Sequence, residues 1–196
     1  MSKNYFDASL SGDRKLVEGI YPTHVIEVNI KEDIAIRGKN LATIYNLKVK
    51  VADEAKTHTF TSEDGQGFSG QVYVGKEIYA QGVFFFTHPE KPEHSHLSAN
   101  PGGNEKYFEF CQMLGVECPE EEIEVASGNE VVKKKVPVLR ALTEDDILGK
   151  PLLSCVGSVS WEDKGTGERK STMKVKDYQP WKAGNTLDVE VDDLPF

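Results

Sequence analysis

The segment Leu41-Ala-Thr-Ile-Tyr-Asn-Leu-Lys-Val-Lys-Val51 carries the cleanest period in the chain: Leu41, Thr43, Tyr45, Leu47, Val49 and Val51 share one parity, opposite Asn46, Lys48 and Lys50. Successive side chains of a strand point to opposite faces, so this pattern predicts a half-buried β-strand, apolar inside and wet outside. Upstream, residues 19–31 place His24, Ile26, Val28 and Ile30 on one parity and Thr23, Glu27, Asn29 and Lys31 on the other, with Val25 as the exception. Arg37-Gly38-Lys39-Asn40 between the two strands reads as a turn carrying two cations.

Downstream, residues 56–61, 72–74 and 76–87 are further strand candidates. In the last of these, alternation sends Phe85 to one side and Phe84 and Phe86 to the other, with core packing the expected role and a stacking surface the alternative. The glycines of residues 62–70 are not a phosphate loop, because neither a lysine-serine pair nor a helical pattern follows them. Residues 105–114 predict a helix with Tyr107, Phe108, Cys111 and Leu114 on one face and Gly115 to stop it. Residues 117–135 are charged and read as a connecting excursion. Residues 142–149 then read as a capped helical turn. A final hairpin alternates Leu153, Cys155, Val159 and Trp161, turns over 163–170 and returns over 172–178. A handful of strands with one helix before the last hairpin predict an all-β, OB-like antiparallel Greek-key barrel with one or two short helices. The competing arrangement is an immunoglobulin-like sandwich, which calls for seven regularly spaced strands and little helix.

The chain of 196 residues accommodates one such domain, residues 1–182, followed by a flexible acidic tail, residues 183–196. No apolar run reaches membrane-spanning length and no signal peptide opens the chain, so the expected location is the cytoplasm, that of a bacterial host if the gene is a phage's. Three cysteines make no disulfide framework. The net charge of −9 opposes nucleic-acid binding until its distribution is considered. Asp188, Glu190, Asp192 and Asp193 in the tail and Glu120, Glu121, Glu122 and Glu124 in the excursion account for eight acids, and taking them from −9 leaves −1 on the rest.

That near-neutral body carries cations at strand spacing. Lys174, Lys176 and Tyr178 fall on one predicted face of the return strand, with Arg169 and Lys170 at its start, Trp161 on the partner strand and Trp181 just beyond. Lys48 and Lys50 repeat the spacing on the earlier strand, joined by Arg37 and Lys39 in the turn. Cations two residues apart follow a phosphate backbone, and aromatic faces stack bases of any sequence, so these residues form the candidate single-strand groove. The plainer alternative is a solvated sheet face. His88, His94 and His96 with Cys111 and Cys118 lack the tight ligand pairs of a zinc site, so no metal and no cofactor is expected. No nucleophile elbow or metal-binding His pair is present, which predicts a protein that is not an enzyme. A metal-dependent nuclease stays open as a weaker class, as does a β-rich adaptor or virion component without nucleic-acid binding.

The ending Asp192-Asp193-Leu194-Pro195-Phe196 resembles the tip of bacterial single-stranded-DNA-binding proteins: an aromatic ring for an apolar pocket, a carboxylate for a basic rim, and a proline that restricts the bound conformer. From Gly19-Ile-Tyr21 through Gly149-Lys150 to Val175-Lys-Asp-Tyr-Gln-Pro-Trp181, the body more loosely resembles phage-type members of that family. The resemblance implies an oligonucleotide-binding barrel, sequence-independent coverage of single-stranded DNA, and recruitment of replication or recombination proteins through Asp188, Glu190, Asp192, Asp193, Leu194, Pro195 and Phe196. A long Gly/Gln/Pro-rich linker before the tip, usual in the bacterial proteins, is missing here. The sequence leaves a homo-oligomer open.

Overall fold

Strand β1 (Gly19–Ile36) pairs antiparallel with β2 (Asn40–Val51), setting Ile30 opposite Tyr45 and Val25 opposite Val49. The computed structural model describes residues 15–36, 40–61, 65–87, 104–127 and 130–181. On its far side β2 pairs with β5 (Glu77–Tyr79) and then β6 (Val83–Thr87), while β1 pairs with β9 (Pro151–Glu162) and β9 with β10 (Arg169–Pro180). A parallel bridge joins Ala80 to Val175, and the Gln81 N–H donates to the Val175 carbonyl at 2.9 Å. The two outer strands thereby meet and the sheet nearly closes on itself. Helix α1 (Glu105–Met113) precedes the last hairpin, as in an OB-like barrel. A single sheet that curls onto itself is not the pair of facing sheets of an immunoglobulin-like sandwich.

The register slips at three places, between Val25 and Glu27 and between Lys31 and Ile34 in β1 and between Val175 and Asp177 in β10, and the first and last break the alternation read from the sequence. In β1 the register slips between Val25, opposite Val49, and Glu27, opposite Lys48, leaving Ile26 as an extra residue. Tyr21, Thr23 and Val25 therefore face the interior before the slip, and Val28 and Ile30 pack on the core after it. His24 and Ile26 are turned away from that set, contrary to the predicted parity. In β10 the slip lies between Val175 and Asp177, with Lys176 as the extra residue. An inserted residue rotates everything beyond it by half a period, so Tyr178 turns into the core.

Other segments also differ from expectation. Residues 70–72 form a 3-10 turn in place of the predicted strand, and the glycine-containing loop contributes β4 (Gly67–Ser69), paired with β3 (Thr59–Thr61). The charged excursion is a hairpin of β7 (Glu120–Ser127) and β8 (Glu130–Pro137). Its register sets Glu122 opposite Lys135 and Glu124 opposite Lys133, and Lys133 Nζ lies 2.9 Å from Glu122. Opposite charges facing across strands contribute about 0.2–1 kcal/mol each. The acidic block and the lysine block are thus the two halves of one element.

The helices form as predicted. Tyr107, Cys111 and Leu114 are buried as expected, but Phe110 joins them in place of Phe108, which is only half-buried, and α2 (Glu144–Ile147) is capped reciprocally by Thr143 and Asp146. Arg140 donates to both Asp146 carboxylate oxygens at 2.7 Å, holding that carboxyl well below its usual range. The Leu142 N–H donates to the Tyr45 hydroxyl at 2.9 Å and the Tyr107 hydroxyl at 3.0 Å, and Tyr107 donates to the Arg140 carbonyl at 2.7 Å. These bonds tie the segment before α2 to the barrel. At another part of the core Tyr21 stacks on Phe60 with centroids 4.1 Å apart, and Tyr73 meets both edge-on.

Gly70 permits the closest backbone approach there. A Cβ on it would stand 1.8 Å from the Ala55 carbonyl oxygen and 2.9 Å from the Phe60 ring. Gly70→Ala forces backbone apart and should destabilise the fold by about 1–3 kcal/mol, the range of core overpacking, as a lowered midpoint of urea unfolding with unchanged slope.

Candidate nucleic-acid interface

Because Tyr45, Leu47, Val49 and Val51 fill the interior, Lys48 and Lys50 project from the outside of β2, as predicted. They are not equivalent. Lys48 Nζ lies 2.5 Å from Glu77 and 3.9 Å from Glu27, and sits 5.3 Å from the centre of the Tyr79 ring. The Lys48 hydrogen bond holds the Glu77 carboxyl below its ordinary range and raises Lys48 in turn. Lys50 is exposed, and among the described residues no carboxylate lies within ion-pair distance of it.

The Ala80–Val175 bridge points Val175 inward, so the residues before each partner, Tyr79 and Lys174, emerge on the outside of neighbouring strands. Tyr79 is 60% exposed, which makes it the most open aromatic side chain on the described surface. Lys174 faces Gly157 across the hairpin, and the Lys176 side chain lies along the same glycine. A Cβ at Gly157 would meet the Lys176 Cε at 2.7 Å and Nζ at 2.8 Å. The glycine thus leaves the channel in which the second cation rests. Neither Lys174 nor Lys176 has a carboxylate within ion-pair distance among the described residues. Lys48, Lys50, Tyr79, Lys174 and Lys176 form one outer strip across β2, β5 and β10.

Farther along the hairpin Trp161 is opposite Lys170 and is 45% exposed. Lys170 is held by Asp163 at 2.5 Å, and Arg169 stands opposite Glu162, so the cations of this tip work beside carboxylates. No known family, curated protein or solved structure matches this chain.

Two predicted stacking residues do not reach the strip. Tyr178 is 7% exposed and packs on Phe110 at 5.6 Å, because the bulge at Lys176 turned it inward. Trp181 is 5% exposed, buried against Ala52 and Leu153 with its ring 5.4 Å from His24. Arg37, Lys39, His88, His94, His96 and the tail residues Asp188, Glu190, Asp192, Asp193, Leu194, Pro195 and Phe196 lie outside the described residues. Sequence reasoning missed Tyr79 and Gly157. A tyrosine on the same parity as Glu77 and a glycine within a strand were their only signals.

Phe84 and Phe86 point outward and stack on each other at 5.9 Å, while Phe85 enters the core against Tyr107 at 4.5 Å. Cys111 is buried, which pushes its thiol up to about 12, a poor state for a metal ligand or nucleophile. Among the described residues no group of three or more His, Cys, Asp or Glu is placed to hold a metal ion, and no helix is long and apolar enough to cross a membrane.

The contrast between the two indoles is directly measurable. Iodide should quench wild-type fluorescence in part, and Trp161→Phe should remove nearly all the quenchable fraction; equal quenching of both tryptophans would contradict the burial of Trp181.

Proposed function

We propose that this protein binds single-stranded DNA without sequence preference, covers and protects it during replication, recombination or repair, and does so without catalysis. The observation that carries the reading is the outer strip of an OB-like barrel. There Lys50, Lys174 and Lys176, without ion-pair partners among the described residues, flank the exposed Tyr79 ring. The strands corresponding to this face and the loop of the last hairpin are where OB barrels bind oligonucleotides. Cations at strand spacing follow phosphates, while an exposed ring stacks any base. Trp161 extends the surface along the hairpin. The resemblance of the C-terminal tip to that of bacterial single-stranded-DNA-binding proteins supports a second role, recruitment of replication or recombination proteins through Phe196, and the setting of a phage genome.

One observation favours a different reading, a protein-interaction adaptor: Lys48 and Lys170 are already held by Glu77 and Asp163. Titration of the protein with a labelled oligo-dT, with and without magnesium or manganese, separates these classes. Binding is expected with a log–log salt slope of about −2, the value for some three phosphate contacts on a single strand. Salt-independent affinity would support the adaptor, and degradation of the strand in metal would make the protein a nuclease.

Lys174→Glu combined with Lys176→Glu should abolish most of the binding, because two phosphate contacts become repulsions, while stability moves by no more than about 0.5 kcal/mol. Unfolding of this variant, or normal binding by it, would remove the lysines from the interface. Phe196→Ala should leave affinity for oligo-dT nearly unchanged and eliminate capture of replication proteins in a pull-down; full retention of those partners would end the recruitment role.

A further inference from the structure

Beyond the Ala80–Val175 bridge no strand pairing joins β6 to β10, and α1 packs against both across the opening. A cleft of about 220 Å³ remains between the three elements. Phe84, Phe86, Phe110 and Met113 supply its apolar wall, and Lys106 and Lys176 stand on it from α1 and β10.

We propose that this cleft is a pocket for one nucleobase, turned out of the single strand that the proposed DNA interface holds. The inference rests on that reading and adds a site to it. Its volume falls below the roughly 300–1,000 Å³ of pockets that take drug-sized ligands, which restricts it to a small ring system. Phe84 and Phe86, their rings near parallel at an interplanar angle of 11° and Phe84 36% exposed, make that wall aromatic. Stacking on such a wall is sequence-tolerant, since every base has a π-face.

Charge decides which part of a nucleotide enters. Glu109 and Asp177 also line the cleft and repel phosphate from it, so the base is the part that fits, with Lys106 on the rim and the Lys176 ammonium over Gly157 on the adjoining strand to meet a neighbouring phosphate. Lys176 belongs at once to the cleft and to the outer strip through Gly157, so a strand lying along Lys174 and Tyr79 arrives at the pocket with no break in its path. Asn104 keeps the wall in place. Its carboxamide accepts from the Phe86 N–H at 2.8 Å and donates to the Phe86 carbonyl at 2.9 Å, occupying the edge of β6 next to α1.

The test combines photocrosslinking with two variants of opposite kind. An oligo-dT bearing 5-iododeoxyuridine is irradiated with the full-length protein and the adducts are mapped by peptide mass spectrometry. Adducts at Phe84 or Phe86 are expected, and 5-iododeoxyuridine monophosphate alone at the same nucleotide concentration should label them far less. Phe84→Ala removes the wall and Met113→Trp fills the space. Each should weaken oligo-dT binding by roughly 5- to 150-fold, the equivalent of one lost stack, without changing the salt slope. Adducts confined to Tyr79 or Trp161, with both variants binding like wild type, would overturn the pocket. Equal labelling by the free nucleotide would also overturn it, as a site for monomers. The Lys174→Glu/Lys176→Glu protein is the control: if it too binds like wild type, the interface itself has failed, whereas its loss of binding beside unaffected cleft variants condemns the pocket alone.

Discussion

The architecture depends on one short parallel contact between Ala80 and Val175. Antiparallel pairings build the rest of the main sheet, and without this contact β5 and β10 would be open edges, each offering unpaired backbone groups to other chains. The contact also places functional side chains. Because the two strands run the same way at the seam, the residues preceding the bridge, Tyr79 and Lys174, leave the barrel side by side. Because the bridge is brief, the strands separate beyond it. The opening is covered by a helix rather than by hydrogen bonds, and a small cleft survives there.

The elements with a strong local period were legible in the sequence. Residues 45–51 alternate as expected, although Leu41 is exposed and Ala42 buried, α1 shows its apolar stripe, and α2 carries a Thr-x-x-Asp cap, so each follows from interactions among near neighbours. The bulges at Ile26 and Lys176 were not legible, since a bulge is set by where the partner strand stops fitting, and nothing in Val175-Lys176-Asp177 marks that point. This one inserted residue moved Tyr178 from the expected surface to the core. Trp181 misled for a different reason: an aromatic side chain suits a stacking surface and a hydrophobic interior equally well, and only the neighbouring Ala52 and Leu153 decide between them.

The distribution of charge has a comparable explanation. The chain is acidic overall, yet many of its carboxylates are committed locally: along the β7–β8 ladder, to Lys48, to Lys170 and to Arg140. Exposed pairs of this kind add little to stability. Their effect is on the surface potential, because each paired lysine ceases to be an isolated positive charge. Lys50, Lys174 and Lys176, beside Tyr79, are outside these pairs, so that strip stays locally basic within an acidic chain.

Trp181 has a mechanical consequence as well. With its indole buried against Leu153 and Ala52, it is the mooring from which the last fifteen residues depart. Fully extended, fifteen residues span at most about 50 Å. Any protein that took hold of Phe196 would be held within that distance of this corner of the barrel.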